Sequence, residues 1–120
     1  MNIASAVNIE KLALSDVNFV QEKTGDTETK LKDQIKVILA GFNNVKSAYL
    51  VLVEYSSTKT YSVALCVELF ETGHEKDIVS AVSKKFSSIF GSSEHLDVIF
   101  INQKQKDEVN KVAKPFYTKN

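Results

Sequence analysis

The most regular hydrophobic pattern in the chain lies in two neighbouring stretches near its middle. Residues Val45–Tyr55 (VKSAYLVLVEY) are rich in valine, leucine and tyrosine and contain no glycine or proline, which is typical of a β-strand. Residues 61–70 (YSVALCVELF) alternate between large apolar side chains and small or polar ones, as a strand with one strongly apolar face does. The polar residues 56–60 between them fit a hairpin loop. The sequence therefore predicts an antiparallel pair of strands.

Two stretches with helical periodicity flank this hairpin, and each carries one apolar stripe. In the first, Asp26 can cap the helix start and Gly41 is expected to form a left-handed cap at its end. In the second, Thr72 and Glu75 have the spacing of a capping box, and Gly91 ends the pattern. The predicted stripes are Leu31, Ile35, Ile38, Leu39 and Phe42 in the first helix, and Ile78, Val82, Phe86, Ile89 and Phe90 in the second.

The remaining segments are shorter and give weaker patterns. Residues 96–101 (LDVIFI) predict a further strand, and residues 103–113 predict a short polar helix that stops before Pro115. Residues 9–14 (IEKLAL) fit either a strand or one helical turn, and we interpret them as a strand. Residues 15–25 are predicted to form a loop that is held against the body by its apolar members and that has room for a short extended piece.

These elements follow one another as β-α-β-β-α-β with a short C-terminal helix, in a single α+β domain over residues 1–120. This order predicts a two-layer sandwich of the ferredoxin-like, split-βαβ type, with a mostly antiparallel sheet and both long helices on one face. The other face of the sheet would then be open.

An open sheet face would explain why the first central strand is apolar on both sides. Depending on register, the exposed set is either Tyr49, Val51, Val53 and Tyr55, or Leu50 and Leu52. We expect the first set to form an interaction surface, because exposed apolar patches usually mark association sites. The alternative is that the last helix and Phe116-Tyr117 cover this face.

Composition and charge make some classes of function, such as nucleic-acid binding, less favourable for this chain. Lysine and arginine together number 15, as do aspartate and glutamate, so the formal charge is zero, and all 15 basic residues are lysines. This balance predicts no general attraction to nucleic acid or to an anionic membrane, and the absence of arginine disfavours base readout. The single cysteine, Cys66, excludes an intrachain disulfide, and no signal peptide or membrane-spanning run is apparent. We expect a cytoplasmic protein.

Few residues suggest chemistry. Cys66 with His74 or His95 would be needed for a thiol nucleophile and its base, but Cys66 falls within a strand, where a buried small side chain is the commoner role. Glu94, His95 and Asp97 cluster at a strand start and are interpreted as solvated turn residues. The histidine spacing matches no metal motif, and no glycine-rich phosphate loop is present. We therefore predict no catalytic residues, no metal and no cofactor.

Several short motifs occur in an order that resembles a known family. The run "VKSAYL" at residues 45–50 follows a helix ending in glycine, the "LDV" at residues 96–98 begins a strand, and "PFY" closes the pattern at residues 115–117. In this order they resemble the C-terminal domain of the SseB (enhanced serine sensitivity) proteins, over roughly residues 12–117. Residues 15–17 (SDV) depart from the glycine-containing turn of the family. The resemblance implies a bacterial protein and supplies no catalytic residues.

Taken with the residues themselves, the resemblance favours a non-catalytic protein-interaction or regulatory domain rather than an enzyme. The expected contact is with a protein partner or a second copy, through the open sheet face, and neither nucleic acid nor a membrane is expected. The alternatives are a small-ligand domain that senses an amino acid at the loop of residues 15–25, and an immunity protein that neutralises a partner toxin.

Overall fold

A computed structural model describes residues 17–91 and 94–119, and within these residues the chain forms one mixed sheet with three helices. The sheet contains β1 (Val17–Glu22), β2 (Val45–Tyr55), β3 (Thr60–Leu69), β4 (Asp97–Ile101) and β5 (Tyr117–Thr118). The helices are α1 (Asp26–Ala40), α2 (Glu75–Phe90) and α3 (Gln103–Val109). None of the described helices is both long enough and apolar enough to cross a lipid bilayer.

The sheet is mostly antiparallel and is built around the predicted hairpin. Its strand order is β1-β2-β3-β4, in which β1 and β3 pair with β2 in antiparallel directions and β4 runs parallel to β3. The short β5 also pairs with β2, opposite Ser47 and Ala48. This strand lies along the part of the β2 edge that β1 leaves free, because β1 pairs only with residues from Val51 to Tyr55.

The first hydrophobic cluster joins both long helices to one face of the sheet. Leu31, Ile35 and Leu39 of α1 are buried together with Ile78, Val82 and Phe86 of α2. Their partners on the sheet are Ala48 and Leu50 of β2, Leu65 and Val67 of β3, and Val98 of β4. The two helical stripes are thus confirmed except at Ile89, which is 39% exposed, and the alternation of β3 is confirmed. Burial of these side chains is the main source of stability for this half of the fold.

A second hydrophobic cluster occupies the opposite face of the sheet, which the sequence predicted to be open. Its buried members are Val17, Tyr49, Val51, Val53, Ala64, Cys66, Ile99, Ile101, Val109 and Ala113. Val109 belongs to α3 and Ala113 follows it, so helical structure packs on this face as well. The doubly apolar pattern of β2 is therefore explained by burial on both sides within the chain, and the expected open face is not observed.

The α+β class and the order β-α-β-β-α-β are observed, but the ferredoxin-like arrangement of the strands is not. In a split βαβ unit another strand lies between the two strands that the helix connects. Here β3 and β4, which α2 connects, are direct neighbours, and so are β1 and β2, which α1 connects.

The first strand also differs from the prediction. Residues 17–22 form β1, whereas they were expected to belong to a loop. A bulge between Phe19 and Gln21 breaks the strict alternation of side chains that identifies a strand in a sequence. The strand expected at residues 9–14 lies outside the described residues.

The predicted helix ends are only partly correct. Gly25, rather than Asp26, occupies the cap position of α1, and Gly41 ends this helix with right-handed backbone angles.

The expected capping box at Thr72 does not form, since His74 occupies the cap position of α2 and the Glu75 carboxylate accepts a hydrogen bond from the Gly73 N–H at 2.8 Å. Gly91 ends α2 with a φ of 82°, which glycine adopts without a steric cost.

Candidate functional site

The four residues expected to form an interaction surface lie inside the chain. Tyr49, Val51 and Val53 are at most 1% exposed and belong to the second hydrophobic cluster. Tyr55 is half-buried and packs against the same cluster. These side chains are therefore not an exposed patch in this conformation, and any contact with a partner must use another surface or require the α3 segment to move.

Cys66 is placed where a nucleophile would be ineffective. Its side chain is fully buried in the second cluster, and this burial raises the pKa of the thiol well above its usual range. A thiol that remains protonated at neutral pH is a poor nucleophile. His74 begins α2, and His95 hydrogen-bonds Asp97 instead of serving as a base for a thiol.

Asp97 is a buried carboxylate rather than a solvated turn residue. It begins β4, and its side chain is almost fully buried. One carboxylate oxygen accepts a hydrogen bond from the Tyr55 hydroxyl at 2.6 Å, and the other lies 2.5 Å from His95 Nε2. Burial, followed by the hydrogen bond to Asp97 and its charge, raises the pKa of Tyr55 above its ordinary value. This chain of contacts joins the end of β2 to the start of β4 across β3.

A cleft lies at the end of the sheet, between the end of α1 and the start of α2. It has a volume of about 500 Å³, and Phe42, Asn44, Phe70, Glu71 and His74 are among its lining residues. Phe70 directly follows β3 and is 57% exposed, which is unusual for a phenylalanine. The ammonium nitrogen of Lys46 lies 5.7 Å from the centroid of the Phe70 ring.

Asn44 holds the loop that forms one wall of this cleft. Its amide nitrogen donates hydrogen bonds to the carbonyl oxygens of Glu71 at 3.0 Å and Gly73 at 2.8 Å. The amide oxygen is buried and finds no hydrogen-bond donor within the described part of the chain. Next to it, His74 has a φ of 63°, a left-handed conformation that is uncommon for residues other than glycine. Buried polar atoms without a hydrogen-bond partner and backbone angles in sparsely populated regions occur preferentially at binding sites.

A second, smaller cavity of about 270 Å³ lies between α3, β2 and the C-terminal segment. Glu68 lies at its centre and is only 8% exposed. One oxygen of its carboxylate accepts a hydrogen bond from Ser47 Oγ at 2.8 Å and lies 3.2 Å from Lys106 Nζ, while the other is 3.7 Å from Lys46 Nζ. Nearby, the Tyr49 hydroxyl donates to Asn110 Oδ1 at 2.7 Å, and burial raises the pKa of this tyrosine. These contacts fasten α3 to the sheet.

Sequence reasoning missed both cavities. Phe70 was interpreted as part of a strand, and Asn44 as part of a turn. Glu68 was assigned only to the less apolar face of its strand. The sequence contained one indication of the second cavity. Glu68 shares a strand face with Ala64 and Cys66, and a glutamate that faces inward needs a cationic partner. The lysines that provide it come from β2 and α3, and their approach depends on tertiary structure. No three metal-binding side chains converge within residues 17–91 and 94–119.

The shared family motifs meet in space in this structure. The AYL motif lies in β2 and the PFY motif leads into β5, and Ala48 of the first is paired with Tyr117 of the second. The Phe116 N–H donates to the Ala48 carbonyl oxygen at 2.9 Å. The LDV motif contributes buried Leu96, the buried Asp97 carboxylate and Val98 of the first cluster. The motifs therefore specify the architecture of the sheet.

Comparison with known proteins and protein families identifies the same family that these motifs suggest. No curated protein sequence and no solved structure shows a significant match to the chain. The family described as SseB protein C-terminal domain matches residues 19–119, which includes most of β1, the three described helices and the C-terminal strand. This match extends over most of the 120 residues, and the chain therefore belongs to the SseB protein C-terminal domain family.

Proposed function

We propose that this chain is a non-catalytic interaction domain that binds a segment of a partner protein at the cleft beside Phe70. The observation that carries the proposal is an aromatic ring that is 57% exposed and lines a cleft of about 500 Å³. An exposed aromatic side chain next to a concave surface is a common anchor for a binding partner.

The lining of the cleft suits a polypeptide segment. Phe42 and Phe70 offer apolar contacts, while Glu71 and Thr72 offer polar groups beside them. The Asn44 amide fixes the loop of residues 71–73, so the cleft is held open before a partner arrives. A preformed site binds with a smaller loss of conformational entropy than a flexible one.

The non-catalytic part of the proposal is supported by the placement of the reactive groups. The only thiol is buried and protonated, and His95 is engaged by a buried carboxylate. We further propose a bacterial, cytoplasmic setting, which the family membership and the single cysteine favour. Neutralisation of a toxin would be one form of the same protein contact.

Site-specific photo-crosslinking tests the proposal. The photoreactive amino acid p-benzoylphenylalanine would be introduced at position 70 of the full chain in the organism that encodes it. We expect a discrete covalent adduct whose mass spectrum identifies one partner protein, and an adduct of twice the chain mass would identify a second copy as that partner. Excess wild-type chain should suppress the adduct, whereas excess Phe70→Ala chain should not.

Tyr61 provides a matched control position. It is 60% exposed, close to the value for Phe70, and it lies at the opposite end of β3. The same photoreactive residue at position 61 should give no such adduct. Equal adducts from positions 61 and 70, no adduct at position 70, or equal competition by the wild-type and Phe70→Ala chains would each contradict the proposed function.

A further inference from the structure

The cavity beneath α3 carries an excess of positive charge that the packing of α3 does not require. Three lysines, Lys46, Lys106 and Lys119, line it, and Glu68 is the only acidic residue among its described lining residues. One lysine would be enough to neutralise the Glu68 carboxylate, and Lys106 is the nearer of the two that contact it. The remaining two ammonium groups give the cavity a formal excess of two positive charges, although the chain as a whole is neutral.

The geometry leaves these lysines able to bind a further group. An ammonium group has three N–H donors, and the contact to Glu68 uses one donor of Lys106. Lys46 Nζ lies 3.7 Å from the carboxylate, which is beyond hydrogen-bond length. Lys119 is held near the cavity by its backbone, whose N–H donates to the Lys46 carbonyl oxygen at 2.8 Å. Its ammonium group makes no ion pair within the described residues.

The partial enclosure of the site strengthens its electrostatic attraction for an anion. Charges at a surface cavity with low-dielectric walls interact more strongly than charges in open water. The wall here includes the buried ring of Tyr49 and the ring of Pro115. A volume of about 270 Å³ accommodates a small ligand and excludes a macromolecule.

We propose that this cavity is a binding site for a small anion, which carries a carboxylate or a phosphate group and is held by Lys46 and Lys119, with Lys106 shared between the anion and Glu68. The site lies beneath α3 and is separate from the cleft at Phe70, which is lined by other residues. Lys46 connects the two sites, because its ammonium nitrogen lies 5.7 Å from the centroid of the Phe70 ring. Lys119→Gln leaves that contact in place and therefore tests the anion site separately from the proposed protein partner.

Titration of the full chain with two simple anions tests the inference. Backbone amide signals would be followed by ¹H–¹⁵N NMR during addition of inorganic phosphate or acetate, with chloride adjusted to keep the ionic strength constant. We expect saturable shifts at Ser47, Thr118 and Lys119. Saturation with phosphate alone would assign the site to phosphate-bearing ligands, and saturation with acetate alone would assign it to carboxylates.

Charge-matched variants decide whether the cavity is responsible. Lys119→Gln should weaken binding about tenfold, because a hydrogen bond to a charged group is lost. Lys46→Gln combined with Lys119→Gln should abolish saturation. Lys111→Gln removes the same charge from an exposed position outside the cavity and should leave binding unchanged. The inference is overturned if neither anion saturates, or if Lys119→Gln and Lys111→Gln bind the anions equally well.

Discussion

Cys66 and Asp97 are two buried side chains whose surroundings differ in polarity. Cys66 and Asp97 both point to the second face of the sheet, one into apolar surroundings and the other towards Tyr55 and His95. A thiol can remain neutral in such a place, whereas a carboxylate requires hydrogen-bond donors. We therefore test the environment of Cys66 by the reactivity of its thiol, and that of Asp97 by the loss of one of its hydrogen-bond donors.

Cys66 should resist thiol reagents in the folded chain. Burial raises the pKa of the thiol and also blocks access to it, so labelling requires the fold to open. We expect modification by DTNB to be at least about a hundredfold slower than in denaturant. An exposed thiol made by Ser57→Cys in a Cys66→Ala background serves as the control and should react at once. Equal rates at the two positions would show that the second cluster is not closed.

Replacement of Tyr55 by phenylalanine should destabilise the fold by about 1–3 kcal/mol, the cost of leaving a buried polar group without one of its partners. The lost hydrogen bond is the one to Asp97, whose carboxylate is almost fully buried. Urea unfolding measures the change. Tyr61→Phe, which alters an exposed ring, should change the free energy of unfolding by less than about 0.5 kcal/mol. Equal effects of the two variants would mean that the Tyr55–Asp97 contact adds no stability.

At the scale of elements, Glu22 connects three segments that are distant in the sequence. It ends β1, and its carboxylate accepts a hydrogen bond from the Lys114 N–H at 3.1 Å and lies 3.3 Å from Lys32 Nζ of α1. The Lys114 hydrogen bond is the main cause that lowers the pKa of Glu22 below its ordinary value, with Lys32 contributing in the same direction. The charged form of Glu22 therefore stabilises the fold.

This pKa shift predicts a specific dependence of stability on pH. Because the pKa of Glu22 is lower in the folded state, the unfolded state takes up its proton first as the pH falls. The stabilisation should be complete above about pH 4.5 and disappear as the pH falls through the folded pKa. Glu22→Gln should thus cost about 0.5–1.5 kcal/mol at pH 7 and almost nothing near pH 2, by urea unfolding at each pH.

A matched change at an exposed ion pair controls for general effects of charge. Glu108 pairs with Lys111 at the surface, three residues along the chain, and such pairs contribute little. Glu108→Gln should therefore leave the pH profile close to that of the wild type. A Glu22→Gln profile that runs parallel to the wild type down to pH 2 would contradict the role assigned to Glu22.

Local patterns predicted the elements far better than they predicted their arrangement. The hairpin, both long helices and the strand near residues 97–101 follow from alternation and helical spacing, which are properties of adjacent residues. β1 was not predicted because its bulge disrupts the alternation of side chains. β5 was not predicted because a strand of two residues is too short to show a periodic pattern. The strand order depends on contacts between distant segments, so no local pattern reveals it. The two apolar faces of β2 left burial under the last helix and exposure both open, and the packing of α3 decides for burial of Tyr49 and Val53.

At the scale of the whole molecule, the C-terminal segment completes the sheet. β5 pairs with β2, and Phe116 and Tyr117 pack against the first hydrophobic cluster. Two further backbone hydrogen bonds, from Phe116 N–H to the Ala48 carbonyl and from Lys119 N–H to the Lys46 carbonyl, hold the segment in place. The segment also forms one wall of the proposed anion site.

Removal of residues 115–120 should therefore lower the free energy of unfolding of the whole domain, instead of having only a local effect at its surface. We expect a loss of about 2–4 kcal/mol, from the half-buried aromatic rings and the backbone hydrogen bonds together. Thermal unfolding followed by circular dichroism measures the effect. Thr118→Ala, which alters an exposed side chain of β5, is the control and should leave the melting temperature almost unchanged. If the shortened chain and the control both melt together with the wild type, the segment is not part of the cooperative unit.

The pairing of β5 with β2 also has a consequence for how the chain is made. Ala48 is synthesised 69 residues before its partner Tyr117. At ordinary rates of translation this interval lasts about 3–14 s, during which β5 is not yet present to pair with the edge of β2 near Ala48. Nascent chains should therefore expose an unpaired strand edge during this interval, where a ribosome-associated chaperone could bind, and synthesis of the PFY motif should end this exposure.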